Sequence, residues 1–437
     1  MSSPSTPRIA IVGSGPSGCY LAQSLRRALP EAIITVFDQL ACPFGLIRYG
    51  VAADHQSTKA ITRQFERLFT RDGVTFAGNI RLGRDLGLDE LQEHYDLVAL
   101  ATGLSQDRGL TVPGEHLPGV HSAGVLTRLL NAHPDSTGPF PELGPAPVIL
   151  GAGNVAIDLV RFLAKRPEHF AGSDIHDDAL ADYAARPAER ITVVSRSPVA
   201  TAKGDPLMLR ELGKLEHVRF TSPDDLSVPA DADRAAIARA EALATLTDPA
   251  RAHSSAVEVV LRFGWAPGEI LADPTTGRAA TVALTNAAGD REPLAASAVI
   301  RAVGFELGSG LAGLVPAELL EHRSDSGFVR DGLYRTGWVK RGPTGTIPEN
   351  RSDAKQVADE IQADLASGRI VLDPRKRGFA GLPAAVQERA VSFADWQRLD
   401  LAEIAEAGPD RVRRKRADHD HMLRLARSGH LADAPAR

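Results

Sequence analysis

Short, nearly unbroken apolar runs alternate along this chain with segments of helical spacing. RIAIVG, Arg8 to Gly13, is such a run. From Gly18 to Leu29 the residues Tyr20, Leu21, Leu25 and Leu29 share one helix face, and AIITVFD, ending at Asp38, is apolar again. Runs without polar alternation suit strands buried on both faces, and strand, helix, strand within about thirty residues is the parallel βαβ unit. DLVALATG, ending at Gly103, is a further strand with a polar, helix-breaking stretch behind it.

The pattern then restarts. PVILG (Pro147 to Gly151) predicts a strand, VAIDLVRFLAKR an amphipathic helix, and ITVVSR (Ile191 to Arg196) the next strand, with a polar insertion, 167–190, between the last two. The Ala-rich stretch 231–246 predicts a surface helix. VEVVLRFGWAPGEI and ATVALTNAAGD predict antiparallel strands, SAVIRAVGF (Ser297 to Phe305) a buried strand, and Asp353 to Ala366 a long helix before a charged C-terminal segment. The expected fold is α/β with two Rossmann-like dinucleotide-binding domains.

Each βαβ unit carries a glycine turn. Gly13-Ser14-Gly15-Pro16-Ser17-Gly18 is a GxGxxG between strand and helix: Gly13 for the tight turn, Gly15 for backbone approach to a pyrophosphate, Gly18 for helix–strand packing. The helix N-terminus offers unpaired N–H groups, and Asp38, twenty residues beyond Gly18, is placed for a ribose hydroxyl pair. Gly151-Ala152-Gly153-Asn154-Val155-Ala156 repeats the device as GxGxxA. Two such turns imply two dinucleotides, and FAD with a nicotinamide nucleotide is the pairing between which hydride passes.

Composition narrows the function classes. The chain has 437 residues, 43% hydrophobic and 24% charged, with net charge −5, so nothing global points to nucleic acid or an anionic membrane. Its two cysteines, Cys19 and Cys42, form no CxxC, no zinc spacing and no cluster for an iron–sulfur centre, which excludes dithiol disulfide reductases and leaves no resident metal expected. The polar start MSSPSTPRIA lacks a signal core and no apolar run reaches spanning length, so the expectation is cytoplasmic, without membrane insertion.

PFGLIRYGVAADH (Pro43 to His55), GAGNVAID (Gly151 to Asp158) and GWVKRGPTG (Gly337 to Gly345) resemble the adrenodoxin reductase-type ferredoxin–NADP reductases, actinobacterial members included, and the likeness runs essentially end to end. It implies an FAD domain built from 1–105 and 302–437, with a nicotinamide domain, 106–301, inserted into it. It also implies two-electron transfer from nicotinamide to flavin, then one-electron steps to a small iron–sulfur protein. By resemblance Trp338, Gly337 and the Gly345-Thr346-Ile347 backbone line the flavin, Leu46 and Arg48 belong to the loop over its ring, and Gly103 sits at a domain join. His55 and Glu211 match a histidine and a glutamate that tune hydride transfer. Lys340 and Arg341 are either docking charges or a solvated pair. Arg161, Lys165, Arg166 and the run Arg411 to Arg416 are candidate basic docking positions for an acidic ferredoxin.

The strand end VVSRSP bears on nucleotide choice. Family members carry two adjacent arginines here, then Gly-Pro; this chain has Arg196, Ser197 and Pro198, with Met208 where a glutamate is usual and AADH in place of APDH. An NAD site favours a carboxylate at this strand end, whereas arginine forms charge-assisted hydrogen bonds to a 2′-phosphate. The expectation is NADPH, with Ser197 and Lys203 as further donors and NADH as the alternative. The rival functions are a flavin monooxygenase, for which no peculiar motif is present, and a flavin- or nucleotide-binding module without turnover.

Overall fold

The computed structural model describes residues 6–251, 253, 256–308 and 325–428. Most of the polar N-terminal stretch and the end of the charged C-terminal segment lie outside them. The chain forms two compact units: one from residues up to 106, 133–135 and 305 onward, the other from 107–132 and 136–304.

The first unit is built on a six-stranded sheet in the order Phe328–Arg330, Leu333–Arg335, Leu97–Leu100, Arg8–Val12, Ile33–Phe37, Thr75–Ala77. All neighbours are parallel except the first pair, a hairpin. Arg8–Val12 shows why the run lacks polar alternation: Ile9 and Ile11 enter one core, Ala10 and Val12 the other. On the first face lie the helix Pro16–Ala28, through Leu21, Ala22 and Leu25, and the helix Ile347–Ser367, through Ala354, Val357, Ala358 and Ile361. Trp396, Leu399, Met422 and Ala426 of the C-terminal helices Phe393–Ala405 and His419–Arg427 complete that core.

The second unit repeats the plan with six parallel strands in the order Val120–Ser122, Val299–Arg301, Val148–Leu150, Arg190–Ser195, Val257–Phe263, Val218–Thr221. The expected antiparallel pairing of VEVVLRFGWAPGEI holds only for its second half. The run breaks at Gly264, so that Val257–Phe263 joins the parallel sheet while Trp265–Ala272 pairs antiparallel with Ala279–Asn286 in a separate three-stranded sheet. The insertion after the second glycine-turn helix is ordered, with a 3₁₀ turn, Pro167–Phe170, and a helix, Asp177–Ala184. Ile347–Ser367 starts six residues before the expected Asp353, because Thr346 and Glu349 form a capping box with Pro348 in the first turn.

Candidate dinucleotide-binding sites

The first glycine turn closes on itself without room for side chains. Gly13 has φ +111°, and a Cβ there would stand 2.3 Å from the Ala101 carbonyl oxygen; one on Gly18 would stand 1.9 Å from that of Gly13. Gly15, the N-cap of Pro16–Ala28, faces open space and no side chain caps the helix, which leaves its first N–H groups for an anion. Asp38 is buried behind this turn. Its Oδ2 accepts from the Ser14 amide (3.0 Å) and hydroxyl, its Oδ1 from the Leu40 amide (3.0 Å). Burial pushes its carboxyl up while those bonds pull it down, and upward wins. A carboxylate has about four acceptor sites. The Ser14 amide and hydroxyl and the Gln39 and Leu40 amides all donate to it, so the carboxylate shapes the turn on which a ribose would rest.

Among the buried polar atoms that lack a hydrogen-bond partner within the described residues are Thr102 Oγ1, beside Gly103, and Trp338 Nε1. Buried polar groups are nearly always paired, so two orphans on the segments expected to line the cofactor fit a ligand with acceptor atoms. The Trp338 ring stacks on Phe305 at 5.7 Å. Behind it Asp353 accepts from Thr336 Oγ1 (2.9 Å), the Gly337 amide (2.6 Å) and Lys340 Nζ (3.0 Å), with Arg341 Nε at 3.4 Å. Lys340, 2% exposed, is therefore neither a docking charge nor half of a solvated pair; it and Arg341 are pinned under the turn. Asn350 Oδ1 takes Ser17 Oγ (2.8 Å) and Arg341 (2.7 Å), tying the segment to the first helix. At Gly345-Thr346-Ile347, Glu349 accepts from the Thr346 amide at 2.6 Å, so the chain's own acid occupies part of this helix start.

Leu46 and Arg48 lie on the short helix Leu46–Tyr49, which abuts the turn: a Cβ on Gly45 would stand 3.1 Å from Gly15 Cα, and the Phe44 amide bonds the Ser14 carbonyl at 3.1 Å. Leu46 is half-buried, whereas the Arg48 guanidinium is committed to Glu403 at 2.6 Å, between the Tyr49 and Trp396 rings. His55 is half-buried at the N-cap of Gln56–Lys59.

In the second unit Gly151 has φ +118° and its Cβ would meet the Ala302 carbonyl oxygen at 2.3 Å, matching Gly13 against Ala101. Gly153 faces open space at the uncapped N-terminus of Asn154–Ala164, with Val155 half-buried in the first turn. Asn154 Oδ1 accepts from the Asp205 amide at 2.9 Å. The duplication extends to register: the Gly13 amide bonds the Phe37 carbonyl and the Gly151 amide the Val194 carbonyl, both at 2.8 Å. Asp38 follows Phe37 and Ser195 follows Val194, so the second unit has a serine where the first has its acid, one residue before Arg196. Periodicity alone had placed the strand end at Arg196 and hidden this. Ser195 Oγ donates to the Ser197 carbonyl (2.8 Å); Arg196 and Lys203 are exposed with no partner among the described residues. Glu211, on Pro206–Leu212, pairs with Arg161 at 3.5 Å.

Two docking candidates change character. Arg161 is buried and holds Asp158 (3.1 Å) as well as Glu211. In the Arg411 to Arg416 run, Arg413 pairs with Asp400, Arg416 with Glu406, and Lys415 is buried, because the helix Phe393–Ala405 and its C-cap residue Glu406 present acids to it. Asp353 reads from sequence as the start of a helix and Asn350 as a position before it, so neither shows its buried partners.

A family model described as pyridine nucleotide-disulphide oxidoreductase matches residues 7–209. Cindoxin reductase of Citrobacter braakii is 42% identical, the match covering 97% of this chain and 92% of that protein. Human mitochondrial NADPH:adrenodoxin oxidoreductase is 33% identical over 96% of this chain and 92% of its own. The solved structure of Mycobacterium tuberculosis FprA in complex with NADPH superposes with TM-score 0.87 at 31% identity, covering 96% of this chain and 99% of that one. With relatives this similar along nearly their whole length and both glycine turns in register, the chain belongs to the adrenodoxin reductase-type ferredoxin–NADP reductase family.

Proposed function

We infer that this chain is an FAD-dependent oxidoreductase that takes hydride from NADPH and hands electrons singly to a ferredoxin-like iron–sulfur protein, with FAD on the first unit and the nicotinamide nucleotide on the second. The observation that carries the reading is the duplicated turn with a changed residue behind it: Asp38 in one copy, Ser195 then Arg196 in the other. An acid accepts from a free ribose hydroxyl and repels a phosphate; a serine followed by an unpaired arginine does the reverse. Bound FAD supplies the conversion of a two-electron donation into single-electron steps, which no side chain offers.

The residues then divide by task. Gly13, Gly15 and Gly18 admit the pyrophosphate, and Asp38 both stiffens the turn and meets the ribose. Thr102 and Trp338 offer their unpaired hydrogen-bonding groups, and Leu46 and Gly345 to Ile347 line the ring. Gly151, Gly153, Asn154 and Val155 seat the second pyrophosphate, and Arg196 with Ser197 the 2′-phosphate. His55 and Glu211 orient and polarise. Thiol chemistry is not used: Cys19 and Cys42 are buried and unpaired, and burial raises both thiols, Cys42 to about 11. Free buried cysteines suit the cytoplasm, and no helix among the described residues is long and apolar enough to cross a membrane.

The test is anaerobic stopped-flow reduction of the bound flavin by NADPH and by NADH. Wild type favours NADPH. Arg196→Ala weakens NADPH by roughly ten- to a hundredfold, the worth of a charge-assisted bond of about 1.5–3 kcal/mol, and leaves NADH nearly unchanged. Ser195→Asp shifts preference the same way by repulsion. Equal use of both nucleotides by wild type overturns the NADPH assignment, and failure of either to reduce the flavin overturns the reductase reading.

A further inference from the structure

We propose that Arg239 is a positioning residue for recognition of the 2′-phosphate, fixing the segment 196–205 so that its cations face the nucleotide; this rests on the NADPH reading above. Arg239 projects from the helix Arg234–Thr247, which Asp233 caps, and is 8% exposed. Its guanidinium donates only to main-chain oxygens: Nε to Gly204 (3.0 Å), and one terminal nitrogen to Val199 (2.9 Å) and Ala200 (3.3 Å). No carboxylate among the described residues comes within ion-pair distance. Burial lowers its pKa, and Asp233 and Asp205 only partly restore it.

The three carbonyls, of Val199, Ala200 and Gly204, lie within one short segment. That segment begins at the exposed Arg196, carries the exposed Lys203, and ends where Asp205 bonds Asn154 of the second glycine turn. Gly204 presses on that turn as well, since a Cβ there would stand 3.0 Å from the Ala152 carbonyl oxygen. Holding Val199, Ala200 and Gly204 by their oxygens turns the negative ends of these peptide groups inward, where a cation neutralises them, and away from an incoming phosphate. An arginine buried without a carboxylate in ion-pair contact is costly. Here it adds to Arg196 and Lys203 a third positive charge that a phosphate dianion offsets and a ribose hydroxyl does not.

The experiment is calorimetric titration of the flavin-loaded protein with 2′,5′-ADP and with 5′-AMP, for wild type, Arg239→Met, Arg239→Lys and Arg196→Ala, with KM and kcat for NADPH alongside. Expected for Arg239→Met is at least a tenfold rise in the Kd of 2′,5′-ADP with less than a twofold change for 5′-AMP, the kinetic loss falling on KM. Arg239→Lys, which keeps the charge but not the three-carbonyl grip, recovers part of the affinity and stays two- to fivefold below wild type. An unchanged Kd for 2′,5′-ADP in Arg239→Met overturns the proposal, and so does equal weakening of both ligands. If Arg239→Met does not fold, Arg239→Lys decides: its single ammonium cannot span all three carbonyls, so selectivity falls two- to fivefold, and full wild-type selectivity overturns the proposal. If Arg196→Ala binds 2′,5′-ADP as wild type does, it is the phosphate-site reading that fails.

Discussion

Replacing Glu403 by glutamine removes one charge from a pair that water does not reach. Arg48 and Glu403 side chains are 5% and 0% exposed and their charged atoms lie 2.6 Å apart, for a gross attraction of about 6 kcal/mol at an effective dielectric near 20. Glutamine keeps the shape and leaves the guanidinium buried against a neutral acceptor, with Arg413 3.8 Å from the same carboxylate in the native protein. Breaking such a pair from one side costs about 3–5 kcal/mol. For a unit of this size that lowers its melting temperature by roughly 6–20 °C. The check is thermal unfolding of the flavin-loaded protein by circular dichroism, with flavin fluorescence recorded in parallel. Because Arg48 follows directly on the segment that abuts Gly15, flavin release is expected to precede the loss of helix signal. The double variant Arg48→Met/Glu403→Leu melts above Glu403→Gln, since an apolar pair strands no charge. A Glu403→Gln protein melting within 2 °C of wild type, or a double variant melting below Glu403→Gln, refutes this reasoning.

Gly18→Ala drives a Cβ to 1.9 Å from a backbone oxygen. Its expected outcome is loss of bound flavin with destabilisation of at least about 1–3 kcal/mol, whereas Ala156→Gly, at the matching place in the second turn, costs only the helix propensity of about 1 kcal/mol; flavin content and urea titration separate them. In the second unit Arg262 grips Glu292 at 2.8 Å and Asp224 at 3.0 Å, and the Arg262 hydrogen bond lowers the Glu292 carboxyl below its ordinary 4.5. The unfolded chain then binds more protons in that window, so this stabilisation is complete above pH 4.5 and fades as pH falls through the lowered value. Arg262→Gln therefore flattens the acid limb of stability against pH; an unchanged limb counts against it.

What the sequence made legible was whatever depends on local order. Strand–glycine–helix succession marked both turns, since their glycines are forced by backbone contacts a few residues away or across one strand. The helix starting at Ile347 was misplaced only at its end, because Thr346 and Glu349 cap it across a proline that read as a loop. Long-range partnerships were invisible. Nothing near Arg48 announces Glu403, 355 residues on, and a lysine inside GWVKRG looks exposed until Asp353 is folded over it. Ser195 was hidden for another reason: its meaning comes from the register that sets Val194, the residue before it, against Leu150, and a strand's register is not written in the strand.

Leu97–Leu100 pairs on one side with Arg8–Val12 and on the other with Leu333–Arg335. As the chain leaves the ribosome, the first partner is already made, while the second is 233 residues away, from Leu100 to Leu333. At 5–20 residues per second, the second edge of this wholly apolar strand stands open for roughly 10–50 s. Through that interval the whole second unit is synthesised and can complete its own sheet. An open apolar edge is a template for pairing with other chains, so throughout that interval the nascent first unit carries an edge on which aggregation can start.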